Sequence, residues 1–125
     1  MQPGRQALDT IEIRGIRVHG RHGAYPGEKD APQPFDIAIV VHADLRAAAA
    51  SDRLADTLDY AELHRRAVRI VAARSFDLVE RLADEILRVL FEDARIAEAE
   101  VSIAKPGRLD GATASVTLRR RRSEP

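Results

Sequence analysis

The sequence predicts an α+β domain, an antiparallel four-stranded sheet with two helices on one face. Two observations carry this expectation. Apolar residues alternate with polar ones toward both ends of the chain, in 10–19, 35–45, 97–103 and 114–118, while the stretch between repeats at helical period. The order is therefore two strands, two helices, two strands. Strands grouped in this way, rather than interleaved with helices, favour an antiparallel sheet.

From Thr10 to His19 the apolar positions alternate as Ile11 and Ile13, then change phase to Ile16 and Val18. The change falls at Gly15 and predicts a bulge, because one extra residue re-aims every later side chain. The segment 20–34 holds Gly20, Gly23, Gly27, Pro26, Pro32 and Pro34 and reads as a loop. A second strand runs from Phe35 to Leu45, with Phe35, Ile37, Ile39, Val41, Ala43 and Leu45 on one face, and pairs with the first as a long hairpin. Asp59-Tyr60-Ala61-Glu62 has capping-box spacing, and Leu63, Ala67, Ile70 and Val71 then recur at helical period, giving a helix over about 60–73. Asp77-Leu78-Val79-Glu80 repeats the box. Leu78, Leu82, Ile86, Val89 and Leu90 form a second helical stripe ending near Glu92. Ala97, Ala99, Val101 and Ile103 alternate with Glu98, Glu100 and Ser102, and a last strand carries Ala114, Val116 and Leu118.

At 125 residues the chain has the length of one domain, with a core over about 9–119 and a basic tail over 120–125. Twenty acidic residues balance twenty basic ones, so no strong net field draws nucleic acid or anionic membrane. The run Arg119-Arg120-Arg121-Arg122 has no aromatic residue interleaved and reads as a frayed basic terminus rather than an RNA or phosphate site. Absence of cysteine excludes disulfides, a thiolate nucleophile and cysteine-ligated zinc, and fits the cytoplasm. Neither a signal-peptide core in Met1–Asp9 nor a stretch of about eighteen apolar residues is present, so the expectation is a protein outside the membrane. Aromatic residues make up only 4% of the chain. A core built from Ala, Val, Ile and Leu is thin, which favours further burial by oligomerisation.

Of the twenty basic residues only Lys29 and Lys105 are lysines. Arginine stays protonated at ordinary pH, whereas a lysine can be brought to exchange its proton, so Lys105 is a candidate for proton transfer. Strand phase puts it in register with Ala99, Val101 and Ile103, on the apolar face. Desolvation at that position would disfavour the charged ammonium, as general acid or base work requires; the alternative is a lysine that snorkels to water past Pro106. Glu80 has a structural explanation as the fourth residue of a capping box, although a carboxylate there can also grip a pair of ligand N–H groups. Glu28 lies in the Gly/Pro-rich loop, where a solvated charge and a substrate contact are both open. Tyr60 opens a helix directly after its cap. The four histidines form no HxH or HxxxH pair, and no phosphate loop or nucleophile elbow occurs, so no metal site is expected.

Taken together, H-G-A-Y-P-G-E (22–28), Q-P-F (33–35), S-D-R-L-A-D-T-L-D-Y (51–60), F-D-L-V-E-R-L-A (76–83) and A-K-P-G (104–107) resemble the bacterial dihydroneopterin aldolases of folate biosynthesis. The resemblance runs from about Asp9 to Arg119, with the blocks in order and at matching spacing. It implies the tunnelling fold, in which sheets of neighbouring subunits join into a ring, usually a tetramer, and two rings stack into an octamer with active sites between subunits. It implies a small pterin substrate and no metal or other cofactor. Position by position, Glu80 matches the glutamate that anchors the pterin 2-amino and N3 groups, with the Val79 backbone beside it. Lys105 matches the catalytic lysine, Tyr60 the catalytic tyrosine, and Glu28 the loop glutamate near the trihydroxypropyl chain. Leu58 and Ala24 match pocket-lining positions.

Two departures stand out. The segment Gly107-Arg108-Leu109-Asp110-Gly111 is shorter than the Pro-rich loop of many aldolases, and Pro32 stands where glycine is common. Related dihydroneopterin triphosphate epimerases share the short segment, and for such an enzyme Arg108 or the terminal arginines would supply phosphate contacts. A ring that binds pterin without catalysis is the other rival, against which the presence of both Lys105 and Tyr60 counts.

Overall fold

The computed structural model describes residues 7–122. The first residues of the 1–9 stretch and positions 123–125 of the basic tail lie outside them. Strands β1 (Asp9–Gly20) and β2 (Gln33–Ala43) are followed by a short helix α1 (Arg46–Ser51) and a 3-10 turn (Leu54–Asp56). Helices α2 (Tyr60–Ala73) and α3 (Val79–Leu90) come next, then β3 (Glu98–Leu109) and β4 (Ala112–Arg121). The strands form one antiparallel sheet in the order β1-β2-β3-β4, with α2 packed on β1 and α3 on β3 and β4. The α+β expectation, four antiparallel strands with helices on one face, holds.

The phase change in β1 is a bulge as expected. Ile13 pairs with Ile39 and Ile16 with Ile37, so Arg14 and Gly15 together oppose Ala38. That extra residue keeps Ile11, Ile13, Ile16 and Val18 on the helix side of the sheet despite their change of parity. The core is built from Phe35, Ile37, Ile39, Val41, Val101 and Ile103 below α2 and α3, whose Leu63, Val71, Leu82 and Ile86 face them.

The opposite face of the sheet is polar and cross-linked. Arg17 grips Asp36 through two hydrogen bonds of 2.7 and 2.9 Å, Ser102 and Thr117 are 2.8 Å apart, and the pairs Glu100–Arg119 and Glu98–Arg121 sit directly opposite in register. The arginine run is thus part of β4 rather than a frayed tail. Arg122 continues this role: its guanidinium donates to the Ile96, Phe91 and Asp93 carbonyls and lies over the Phe91 ring. Its backbone N–H bonds the Ala97 carbonyl.

Two further expectations are corrected and one element is added. The strand predicted through Leu45 ends at Ala43, because Asp9 Oδ2 accepts the Leu45 N–H and α1 follows at once. The run Arg46-Ala-Ala-Ala-Ala-Ser51, which has no apolar period, forms a short helix. The second capping box does not form: Leu78 is the N-cap of α3 with no side-chain cap bond, and the Asp77 carboxylate is held instead by Lys29 Nζ at 2.5 Å. Asp59 does cap α2, accepting from the Ala61 and Glu62 N–H groups, while Glu62 turns to Arg65.

Candidate active site

A buried histidine organises the loop between β1 and β2. His22 is fully enclosed, its Nδ1 accepting from the Phe76 N–H at 3.1 Å and its Nε2–H reaching the Val71 carbonyl at 2.8 Å. Those two partners require the neutral tautomer with hydrogen on Nε2. Desolvation lowers its pKa from the ordinary histidine value, the Val71 carbonyl opposes this, and Lys29 and Lys105 add to the lowering. The ring stacks on Phe76 and meets Phe35 edge-on. Together with the bond from the Gly23 N–H to the Phe76 carbonyl, this ties the loop to the start of α3.

Glu28 comes back over that anchor. It approaches Gly23 so closely that a Cβ there would meet the Glu28 side chain at 2.5 Å, so only glycine fits. Glu28 Oε1 accepts the Tyr25 N–H at 3.0 Å. Its Oε2 accepts from Lys105 Nζ and from Arg108 Nη1, each at 3.2 Å. All three side chains are sheltered, with exposures of 17% for Lys105 and 18% for Glu28 and Arg108. The Glu28 pKa is lowered from the usual carboxylate value, chiefly by the Tyr25 N–H, with Lys105 and Arg108 adding to this against desolvation. Lys105 stands on the apolar side of β3, opposite Ala114, as its phase implies. Its ammonium meets a carboxylate there.

Val79 and Glu80 open α3, and the helix start lies at the Lys105 end of the sheet, since Phe76 and Asp77 just before it are bonded to Gly23 and Lys29 of the loop whose Glu28 meets Lys105. Glu80 is exposed and its side chain has no hydrogen bond or ion pair. With the Asp77 box unformed, no capping role occupies it. A carboxylate in the first turn of a helix is favoured by the helix dipole and keeps both oxygens free to accept. Ala24, two residues beyond His22 in the anchored loop, is exposed.

Tyr60 and Leu58 stand elsewhere. Leu58 is core, 2% exposed. The start of α2 is tied to the beginning of β3 through Arg95, whose guanidinium donates to the Thr57 carbonyl at 2.8 Å. The other end of α2 meets His22 through Val71. Fourteen helical residues separate these ends, roughly 20 Å at 1.5 Å per residue. Tyr60 is therefore at the far end of the same chain from Lys105. It is 64% exposed, and its side chain has no hydrogen bond or ring contact.

The candidate residues thus fall into two sets, Ala24, Glu28, Val79, Glu80 and Lys105 at one end, Leu58 and Tyr60 at the other. Four cavities of about 280 to 400 Å³ open on the described surface, and none of these four is lined by Glu28, Glu80, Lys105 or Tyr60. Among the described residues no group of three or more His, Cys, Asp or Glu side chains could hold a metal ion, and no helix is long and apolar enough to cross a membrane. Two features at this end escaped sequence reading. His22 is the buried anchor rather than a loop histidine, and Arg108 joins Lys105 on one carboxylate oxygen. A lone histidine between two glycine-bearing turns was the available signal for the first, and the glycine at 107 for the second.

Comparison with known proteins gives the family. The family model for dihydroneopterin aldolase matches residues 11–120. The dihydroneopterin aldolase of Streptomyces coelicolor is 36% identical over 99 residues, covering 79% of this chain and 83% of that protein. That of Streptococcus pyogenes is 36% identical over 99 residues, covering 78% and 83%. The crystal structure of E. coli dihydroneopterin aldolase in complex with neopterin superposes with a TM-score of 0.85 at 31% identity, over 90% of this chain and 98% of that one. By its fold and by these likenesses, the chain belongs to the dihydroneopterin aldolase family.

Proposed function

We propose that this chain cleaves 7,8-dihydroneopterin by a retro-aldol reaction, giving 6-hydroxymethyl-7,8-dihydropterin and glycolaldehyde. The observation that carries the reading is the sheltered Lys105–Glu28 contact at the end of β3, formed by the two residues matched to the family's lysine and loop glutamate. The substrate is its own electron sink. When the bond between C1′ and C2′ breaks, its electron pair moves into the C6=N5 imine of the dihydropterin, so the reaction needs proton transfers and neither a Schiff base nor a metal.

In this reading Glu80 holds the pterin 2-amino and N3 groups with its two free oxygens, the Val79 backbone lies beside them, and Ala24 lines the same pocket. Glu28 takes the hydroxyls of the side chain. Lys105, through a water, removes the 2′-hydroxyl proton as C2′ becomes the aldehyde. Tyr60 delivers a proton to C1′ of the enamine-like intermediate. Since Tyr60 and Lys105 stand at opposite ends of one chain, the tyrosine that serves a given lysine comes from a neighbouring subunit, and the backbone near the buried Leu58 comes with it. That requirement is met by a ring of subunits, a tetramer or a pair of stacked tetramers, with the thin aliphatic core as further support. The site of action is the cytoplasm.

The test is to incubate the purified protein with 7,8-dihydroneopterin, with and without EDTA, and to separate the oxidised pterins by fluorescence chromatography. Hydroxymethylpterin should form in both. Formation of the C2′ epimer alone would favour the epimerase, and pterin binding with no conversion would favour a non-catalytic ring.

A further inference from the structure

Arg108, a phosphate contact only in the epimerase reading, has no part in the aldolase reaction as described, yet it shares an oxygen atom with Lys105. Strict strand alternation would send position 108 to the sheet face opposite Lys105. The pairing of β3 with β4 runs regularly to Lys105 opposite Ala114 and resumes only at Leu109 opposite Ala112, so residues 106–108 oppose Thr113 alone. Gly107, at φ +70, makes this bulge in the left-handed region that glycine enters without strain. The extra residues return Arg108 to the lysine's side, with its guanidinium over the Phe35 ring at 5.3 Å and Nη1 on Glu28 Oε2. Nη2 is buried and has no hydrogen-bond partner. Lys29, the other lysine near this loop, is engaged by Asp77.

Two cations facing one carboxylate leave a net positive charge, and an unpaired buried N–H is a donor without an acceptor. Glu28 does not supply that acceptor: its Oε2 takes Nη1 and its Oε1 takes the Tyr25 N–H. We propose that Arg108 is a specificity-determining residue whose free Nη2–H binds an oxygen on the side chain of the pterin substrate, a hydroxyl or a phosphate ester. This rests on the aldolase reading, in which Glu28 lies along that side chain. The guanidinium leaves the Phe35 ring to take the incoming oxygen and so gains the hydrogen bond it lacks at rest.

The test compares wild type, Arg108→Gln and Arg108→Met on 7,8-dihydroneopterin and its 3′-phosphate, and measures affinity for 6-hydroxymethyl-7,8-dihydropterin, which lacks the C2′ and C3′ oxygens to which the assignment refers. Loss of a hydrogen bond from a charged donor should raise KM about tenfold with a smaller change in kcat. Affinity for the hydroxymethyl compound should not move. A larger rise for the phosphate ester would identify phosphate as the acceptor, and equal rises a hydroxyl. An unchanged KM on both substrates, or a parallel fall in affinity for the hydroxymethyl compound, would overturn the assignment. Arg108→Met keeps an aliphatic stem over Phe35 without a donor and gives the same readout if the glutamine variant does not fold. No turnover by wild type would sink the aldolase reading itself, whereas turnover indifferent to both substitutions sinks only the role of Arg108.

Discussion

Lys105 differs from the arginines around it in one chemical respect, its capacity to give up a proton, and the retro-aldol reading depends on that capacity. Lys105→Arg should keep the contact with Glu28 and the fold while lowering kcat at least about a hundredfold, the usual share of a positioned acid or base. Steady-state turnover beside a thermal melt checks this, and full activity in the arginine enzyme would refute proton transfer at this position. His22 makes a second prediction. Its folded-state pKa is depressed below that of the unfolded chain, so the unfolded state binds the extra proton first as pH falls. Stability from this residue is present above about pH 6.5 and is lost below it, at no more than about 1.4 kcal/mol per pH unit. Denaturant titrations between pH 7.5 and 5.5 should show that slope in wild type and a reduced one in His22→Gln. Of these residues, Lys105 was legible from its rarity and phase. The placement of Arg108 beside it was not, since Gly107 signals a turn but the register of the bulge follows only from the pairing with β4.

Elements were legible wherever one face is buried. The bulge in β1 could be read because Ile11, Ile13, Ile16 and Val18 must all reach the core, and a change of parity has only one structural solution. Helix starts were less certain, because two identical cap spacings gave two different outcomes. Asp59 bonds the first turn of α2, but Asp77 is drawn off by Lys29, forty-eight positions away, a competition invisible to local pattern. Asp59→Ala should therefore cost about 1 kcal/mol of stability, as loss of an N-cap does, and Asp77→Ala, which breaks only an exposed ion pair, less than half of that. Equal losses in urea denaturation would mean that Asp77 supports α3 after all. The helix α1 escaped notice because an alanine run carries no hydrophobic period, and its residues are not buried.

For the whole molecule, the sheet has its polar pairs on one face and its helices on the other, and β1 and β4 remain as open edges. Open edges invite pairing with another copy, which suits a ring of sheets. Light scattering should give a mass of four or eight chains, and a monomer at micromolar concentration would remove the shared site. That Tyr60 and Lys105 stand at opposite ends of one chain could not be read from sequence, because it depends on the direction in which α2 is laid across the sheet. The most direct measurement follows from this separation. Lys105→Ala and Tyr60→Phe chains, each poorly active alone, should be co-expressed with different tags and the mixed oligomers purified. If the site is shared, interfaces where intact Tyr60 of one chain meets intact Lys105 of another will restore formation of 6-hydroxymethyl-7,8-dihydropterin above either parent. Mixed oligomers no more active than their parents would contradict a site assembled from two subunits.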